Sequence, residues 1–222
     1  MLWKITQHFL TTLVVIYSGI HWGVACIPSA YMVFYMIDLT KDFSIIGQSI
    51  FIGMSIGLGI PMWMISNIFI TSLIGFIFKP KINKTRVPFF SIVTIQWAFL
   101  SVIDRLAKPC VYHMVPSWIT NFYYRAMGCK IGKDAIISSD RINDAYMVEI
   151  GYGSIIGSRA LITAHIAEKN NLVLSPISIG NNCLIGLGAQ INPGCVIEDN
   201  VVIASRAIAP KYTTVPSGET WA

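Results

Sequence analysis

Two long stretches of the chain carry no charge. Phe9–Ile37 and Phe43–Phe78 lack Asp, Glu, Lys and Arg throughout. Each exceeds the roughly 20 apolar residues with which a helix crosses a bilayer. Together they predict a transmembrane helical hairpin within residues 1–86. Buried core helices of a soluble protein would need a surrounding layer larger than this chain supplies. Basic residues set the orientation. The loop Asp38–Asp42 carries only Lys41, whereas Lys79–Arg86 carries Lys79, Lys81, Lys84 and Arg86. The hairpin tip is therefore expected outside, with both ends in the cytoplasm. Over residues 87–125, Phe89, Trp97, Phe99, Trp118 and Tyr123 are interleaved with few charges. That pattern predicts amphipathic helices lying on the membrane surface.

The pattern changes at residue 131, where isoleucine begins to recur every sixth position. Ile131 and Ile137 start the series, followed by Ile150, Ile156 and Ile162, and after a gap by Ile179, Ile185, Ile191, Ile197 and Ile203. The fifth position of each row is mostly small: Ala135, Ser154, Ala160, Cys183, Ala189 and Cys195, with Arg141 and Ile166 as exceptions. Such a period predicts short strands stacked in a parallel β-helix. Each Ile would point inward and stack on the next coil, and the small residue would sit inside a tight corner. Cys183 and Cys195 then read as packing residues. The 17 residues from Ile162 to Ile179 interrupt the period. The chain is expected to leave the coil near His165 and return at Pro176.

Composition sharpens this division. Of the 222 residues, 54% are hydrophobic and 12% charged, against about 25% charged in soluble domains. A disordered chain is excluded. The net charge of +5 is uneven: residues 1–128 hold nine Lys/Arg against three acids, and residues 129–222 hold seven against eight. The basic excess thus belongs to the apolar half, so the expected partner is the lipid bilayer and not nucleic acid. Five cysteines without a CxxC pair indicate neither a disulfide scaffold nor a zinc site. Residues 126–222 contain one histidine, His165, whereas a β-helix carbonic anhydrase needs three on zinc. No metal site is expected.

Residues 126–222 resemble the hexapeptide-repeat acyltransferases. The stretch Pro176-Ile-Ser-Ile-Gly-Asn-Asn-Cys-Leu-Ile-Gly-Leu-Gly-Ala-Gln-Ile-Asn-Pro-Gly-Cys-Val-Ile197 is similar to the core signature of CoA-dependent O-acetyltransferases. Asp144-Ala-Tyr-Met-Val-Glu-Ile-Gly151 resembles the segment before their catalytic loop, and Tyr124–Gly132 their entry into the first coil. The pairing with apolar helices also resembles the acyltransferase-like domains of polylysine synthetases. The resemblance implies an α+β membrane protein in three parts: the hairpin 1–86, interfacial helices 87–125, and a left-handed parallel β-helix 126–222. It implies His165 as general base, since imidazole accepts a proton near neutral pH. Asp144 or Glu168 would orient it. The family often places Asp directly after this histidine, and Ile166 stands there instead.

The resemblance further implies acetyl-CoA or another acyl-CoA as co-substrate, with no tightly bound cofactor. A backbone amide from the row Ile185–Ala189 would stabilise the oxyanion. The pantetheine arm would run along Gly186, Gly188, Ala189, Ala204 and Ser205, and Lys211 would meet the CoA phosphates. The family's closing Gly-Asn-Pro-Ala is replaced by Glu219-Thr-Trp-Ala222, which would curtail the last CoA-facing element. A homotrimer with active sites between subunits is implied, because one β-helix alone would leave His165 on an open wall. The expected activity is transfer of a short acyl group to a hydroxyl of a lipid-linked glycan or surface polysaccharide. It would take place at the inner membrane, in a multi-pass protein whose catalytic domain faces the cytoplasm. An amine acceptor, or a non-catalytic scaffold subunit, are the alternatives.

Overall fold

The computed structural model describes residues 2–82 and 84–222, with side chains from His8 onward; Asn83 of the basic run lies outside the described residues. The chain divides into two compact units, one running to Thr71 and the other Ser72–Ala222.

Helices α1 (Leu2–Leu39) and α2 (Ile45–Phe78) are both long and apolar enough to cross a membrane. Their large apolar side chains face outward: Tyr31 and Phe34 are 71% exposed and Ile45 81%. Only 11% and 28% of their most apolar windows are buried. Within the first unit the helices meet through buried polar groups. His21 Nε2 lies 2.8 Å from Asn67 Oδ1 and 3.1 Å from Thr71 Oγ1, and Ser29 Oγ donates to the Gly59 carbonyl at 2.8 Å. The buried polar groups are thereby satisfied across the helix pair.

The second unit is built on a three-faced parallel β-helix. Lys130–Ile131, Val148–Ile150, Ile177–Ile179, Val196–Ile197 and Thr214–Val215 form the first face. The second comprises Ile136–Ile137, Ile155–Ile156, Leu184–Ile185, Val202–Ile203 and Thr220–Trp221, and the third Ile142–Asn143, Leu161–Thr163, Gln190–Ile191 and Ile208–Ala209. Register stacks like on like: Ile150 beside Ile179 beside Ile197, and Ile156 beside Ile185 beside Ile203. These isoleucines are at most 1% exposed, as are the corner residues Cys183, Ala189 and Cys195. The corners turn through left-handed residues, among them Asp134, Asp144, Asn182 and Asn200.

Arg141 does not occupy an inward corner position. Ile142, not Asn143, pairs with Ile162, so the corner before it is one residue short. Ser139 is the buried residue there, its Oγ donating to the Ala160 carbonyl at 2.6 Å and accepting from Arg141 N at 3.0 Å. A small hydroxyl thereby replaces a small apolar group and leaves Arg141 outside.

The interruption after Ile162 is an antiparallel hairpin, His165–Glu168 with Asn171–Leu174. Thr85–Pro88 adds a third strand on its outer side, pairing with Asn171–Leu174. Two helices cover the start of the β-helix. In α3 (Ile92–Met114), Leu100, Ile103, Leu106, Ala107, Cys110 and Val111 are buried at helical spacing. In α4 (Trp118–Ala126), Tyr123 and Tyr124 are fully buried, and Tyr124 Oη donates to the Ser139 carbonyl at 3.0 Å. An otherwise bare edge of the first coil is thus closed.

Candidate active site

The register of the third face places the key residues. Asn143 pairs with Thr163, so the chain leaves that face at one corner in two successive coils. Asp144 turns the first of these corners in a left-handed conformation, φ 55° and ψ 47°. Asp tolerates this region through local hydrogen bonding better than most residues. His165 opens the hairpin at the second corner. Its Nδ1 lies 2.5 Å from Asp144 Oδ2, with Thr163 Oγ1 at 3.2 Å. An ionised carboxylate only accepts, so Nδ1 is the ring nitrogen that donates to Asp144.

Asp144's side chain is 3% exposed and His165's is 27% exposed. The buried carboxylate is satisfied on both oxygens, because Trp97 Nε1–H donates to Oδ1 at 2.9 Å. The indole also packs edge-on against the imidazole, ring centres 4.8 Å apart at 60°. Trp97 belongs to α3, which stands over this corner. Between them lies a cavity of about 330 Å³. Its helical wall is Trp97, Leu100, Ser101, Asp104, Arg105 and Lys108; its β-helix wall includes Asn143, Asp144, Tyr146 and His165. The helical wall residues fall at one-face spacing along α3. The expectation that a single β-helix leaves His165 on an open wall is therefore corrected: α3 of the same chain supplies a wall.

The charges of the cavity are largely matched. Lys108 Nζ donates to the Ile142 carbonyl at 2.8 Å and lies 3.3 Å from Asp104 Oδ2. Asp104 Oδ1 accepts from Tyr123 Oη at 2.5 Å. Burial, and then the charge of Asp104, hold the Tyr123 phenol well above its ordinary value, so it stays a donor.

The other candidates lie elsewhere. Glu168 is three residues beyond His165 on the same strand and so points to the opposite face. Its carboxylate pairs with Lys211 and lies 3.8 Å from Arg86, which removes it as the group orienting His165. The hydrogen bond from Lys211 lowers the Glu168 carboxyl from its ordinary value. Lys211 is correspondingly engaged with Glu168 instead of standing free for phosphates. Gly186, Gly188, Ala189, Ala204 and Ser205 form the corner between the second and third faces, whereas Asp144 and His165 lie at the corner between the third and first. The N–H groups of Gly186, Gly188 and Ala189 donate to the carbonyls of Ile203, Ser158 and Gly186. These three amides are spent on the coil. A Cβ on Gly186 would lie 2.5 Å from Ser205 N, so this glycine is required by coil stacking. Among the cysteines, burial pushes Cys129 up to about 12 and raises Cys183 and Cys195. All three are unreactive thiols in the packing.

The sequence reading missed Trp97, Asp104, Arg105 and Lys108. Their signal was the helical spacing of polar residues inside a stretch taken as interfacial.

Residues 176–208 match the bacterial transferase hexapeptide family, in its six-repeat form. Over these residues the chain is similar to the hexapeptide-repeat transferases. It is 29% identical over 140 residues to delta-poly-L-ornithine synthetase of Acinetobacter baumannii, covering 63% of this chain and 10% of that protein. That match is longer than the repeat domain alone. It is 39% identical over 77 residues to galactoside O-acetyltransferase of Escherichia coli, covering 32% of this chain and 38% of the relative. The chain thus spans well under half the length of either relative. Among solved structures, maltose O-acetyltransferase from Clostridium difficile is similar, with a TM-score of 0.43 and 16% identity over 62% of this chain and 87% of that one.

Proposed function

We propose that the protein is a membrane-anchored acyltransferase that moves a short acyl group from a CoA thioester to a hydroxyl. The observation that carries this reading is the buried Asp144–His165 pair opening into the cavity under α3. His165 Nε2 takes the proton of the acceptor hydroxyl as its oxygen bonds to the thioester carbon. The carbon–sulfur bond then breaks, and the imidazolium returns the proton to the CoA sulfur. Asp144 holds the Nδ1–H tautomer and faces the imidazolium with a negative charge. Trp97 is a positioning residue that holds Asp144.

The apolar exterior of α1 and α2 supports a bilayer partner, and the basic run Lys79–Arg86 supports a β-helix on the cytoplasmic side of an inner membrane. Phe90, Ile92, Ile95 and Trp118 are each 68% exposed or more. This supports α3 and α4 resting on the membrane surface, with a lipid-linked glycan or similar acceptor delivered there. The residues proposed for the pantetheine arm and the catalytic pair lie at different corners of one prism. Three prisms side by side bring unlike corners together, which supports a homotrimer.

A second reading, transfer to an amine, is favoured by the likeness to delta-poly-L-ornithine synthetase. The purified chain, given labelled acetyl-CoA and a membrane lipid extract, separates the two. An ester product releases its label in alkaline hydroxylamine, as a hydroxyl acceptor requires. A resistant product identifies an amide, and absence of any labelled product removes the acyltransferase reading.

A further inference from the structure

The fixed charges of the cavity beside His165 leave one cation unpaired. Asp104 is answered by Lys108 and Tyr123, and Asp144 by His165 and Trp97. Arg105 lines the same cavity, is exposed, and has no carboxylate partner among the described residues. Tyr146 also lines it, and its hydroxyl is buried without a hydrogen-bond partner. Burial and then the charge of Asp144 keep that phenol protonated. Both groups can donate, and Arg105 is a fixed cation. At about 330 Å³ the cavity is at the lower end of ligand pockets, room for one polar head and not for a whole CoA.

We propose that this cavity binds the acceptor through an oxyanion, a phosphate or phosphodiester seated on Arg105 next to the hydroxyl that His165 deprotonates. The guanidinium fork suits such a group. This rests on the acyl-transfer reading for the role of the ligand, but not for its binding. The phosphate could belong to a lipid headgroup or to a soluble ester, and the shared chemistry is the same.

Calorimetric titration of the full chain in detergent tests the site with three probes: glycerol, glycerol 3-phosphate and phosphatidylglycerol in mixed micelles. At least one phosphate-bearing probe should bind more tightly than glycerol. Micelle binding alone assigns a lipid headgroup, and binding of the free ester assigns a soluble phosphate. Arg105→Ala should weaken that binding about 10- to 100-fold. Lys133→Ala, which removes a surface charge elsewhere on the β-helix, should leave it unchanged. Equal binding by Arg105→Ala and wild type, or no preference for phosphate over glycerol, overturns the proposal. Arg105-dependent binding in a chain with no acyl transfer would refute the catalytic reading and leave the anion site standing.

Discussion

Asp144 is a carboxylate removed from water, and it stays there because two N–H donors reach it from different elements, the hairpin and α3. Losing one of them should be felt at the other. Trp97→Phe keeps an aromatic ring in α3 and deletes the indole N–H along with part of the ring system. The carboxylate is then left with one donor and holds the imidazole less firmly in place. kcat should fall about tenfold with KM nearly constant. A role confined to packing would lower the melting temperature and leave kcat in place. His165 and Asp144 were both legible in the sequence, one at the break in the isoleucine period and the other one coil earlier. Trp97 was not. Nothing in an amphipathic stretch says which β-helix corner its polar face will meet; only the fold supplies that partner.

The hairpin that begins with His165 is the element most open to local perturbation. It is not stacked in the coil, and Arg86 and Lys211 approach its end at Glu168. The interruption itself was visible as lost periodicity. Its antiparallel form was not, because the third strand, Thr85–Pro88, is supplied from the basic run far upstream. The short corner before Ile142 escaped for a similar reason, since a one-residue deletion shows only when both neighbouring coils are aligned. Glu168 is held below its ordinary value by Lys211, so the contact stabilises the hairpin at pH above the normal carboxylate range. The contribution is lost as pH falls through the folded value. Amide exchange over residues 165–174 should therefore quicken in Glu168→Gln at neutral pH, and in the wild type only under acid conditions. Equal exchange in both chains at neutral pH would remove Glu168 as an anchor.

At the scale of the whole molecule, the first unit presents apolar helices and the second is built on a β-helix. Isoleucine rows made the β-helix plain in the sequence, and uncharged runs did the same for α1 and α2. How residues between them fold over the corner carrying Asp144 and His165 was hidden, because their apolar spacing predicts helices without naming the face they cover. The topology proposed here makes a direct prediction. With Cys26 replaced by Ser, an impermeant thiol reagent added outside intact cells should label Asp42→Cys and not Ser217→Cys. The reverse pattern would put the site beyond cytosolic CoA. The central claim, that His165 drives acyl transfer from this cavity, is tested most directly by one comparison. Transfer of label from acetyl-CoA to a membrane lipid extract would be measured for wild type and for His165→Ala, purified alike and matched in melting temperature. The account predicts a fall of about 10²- to 10⁴-fold. Turnover equal to wild type would contradict it.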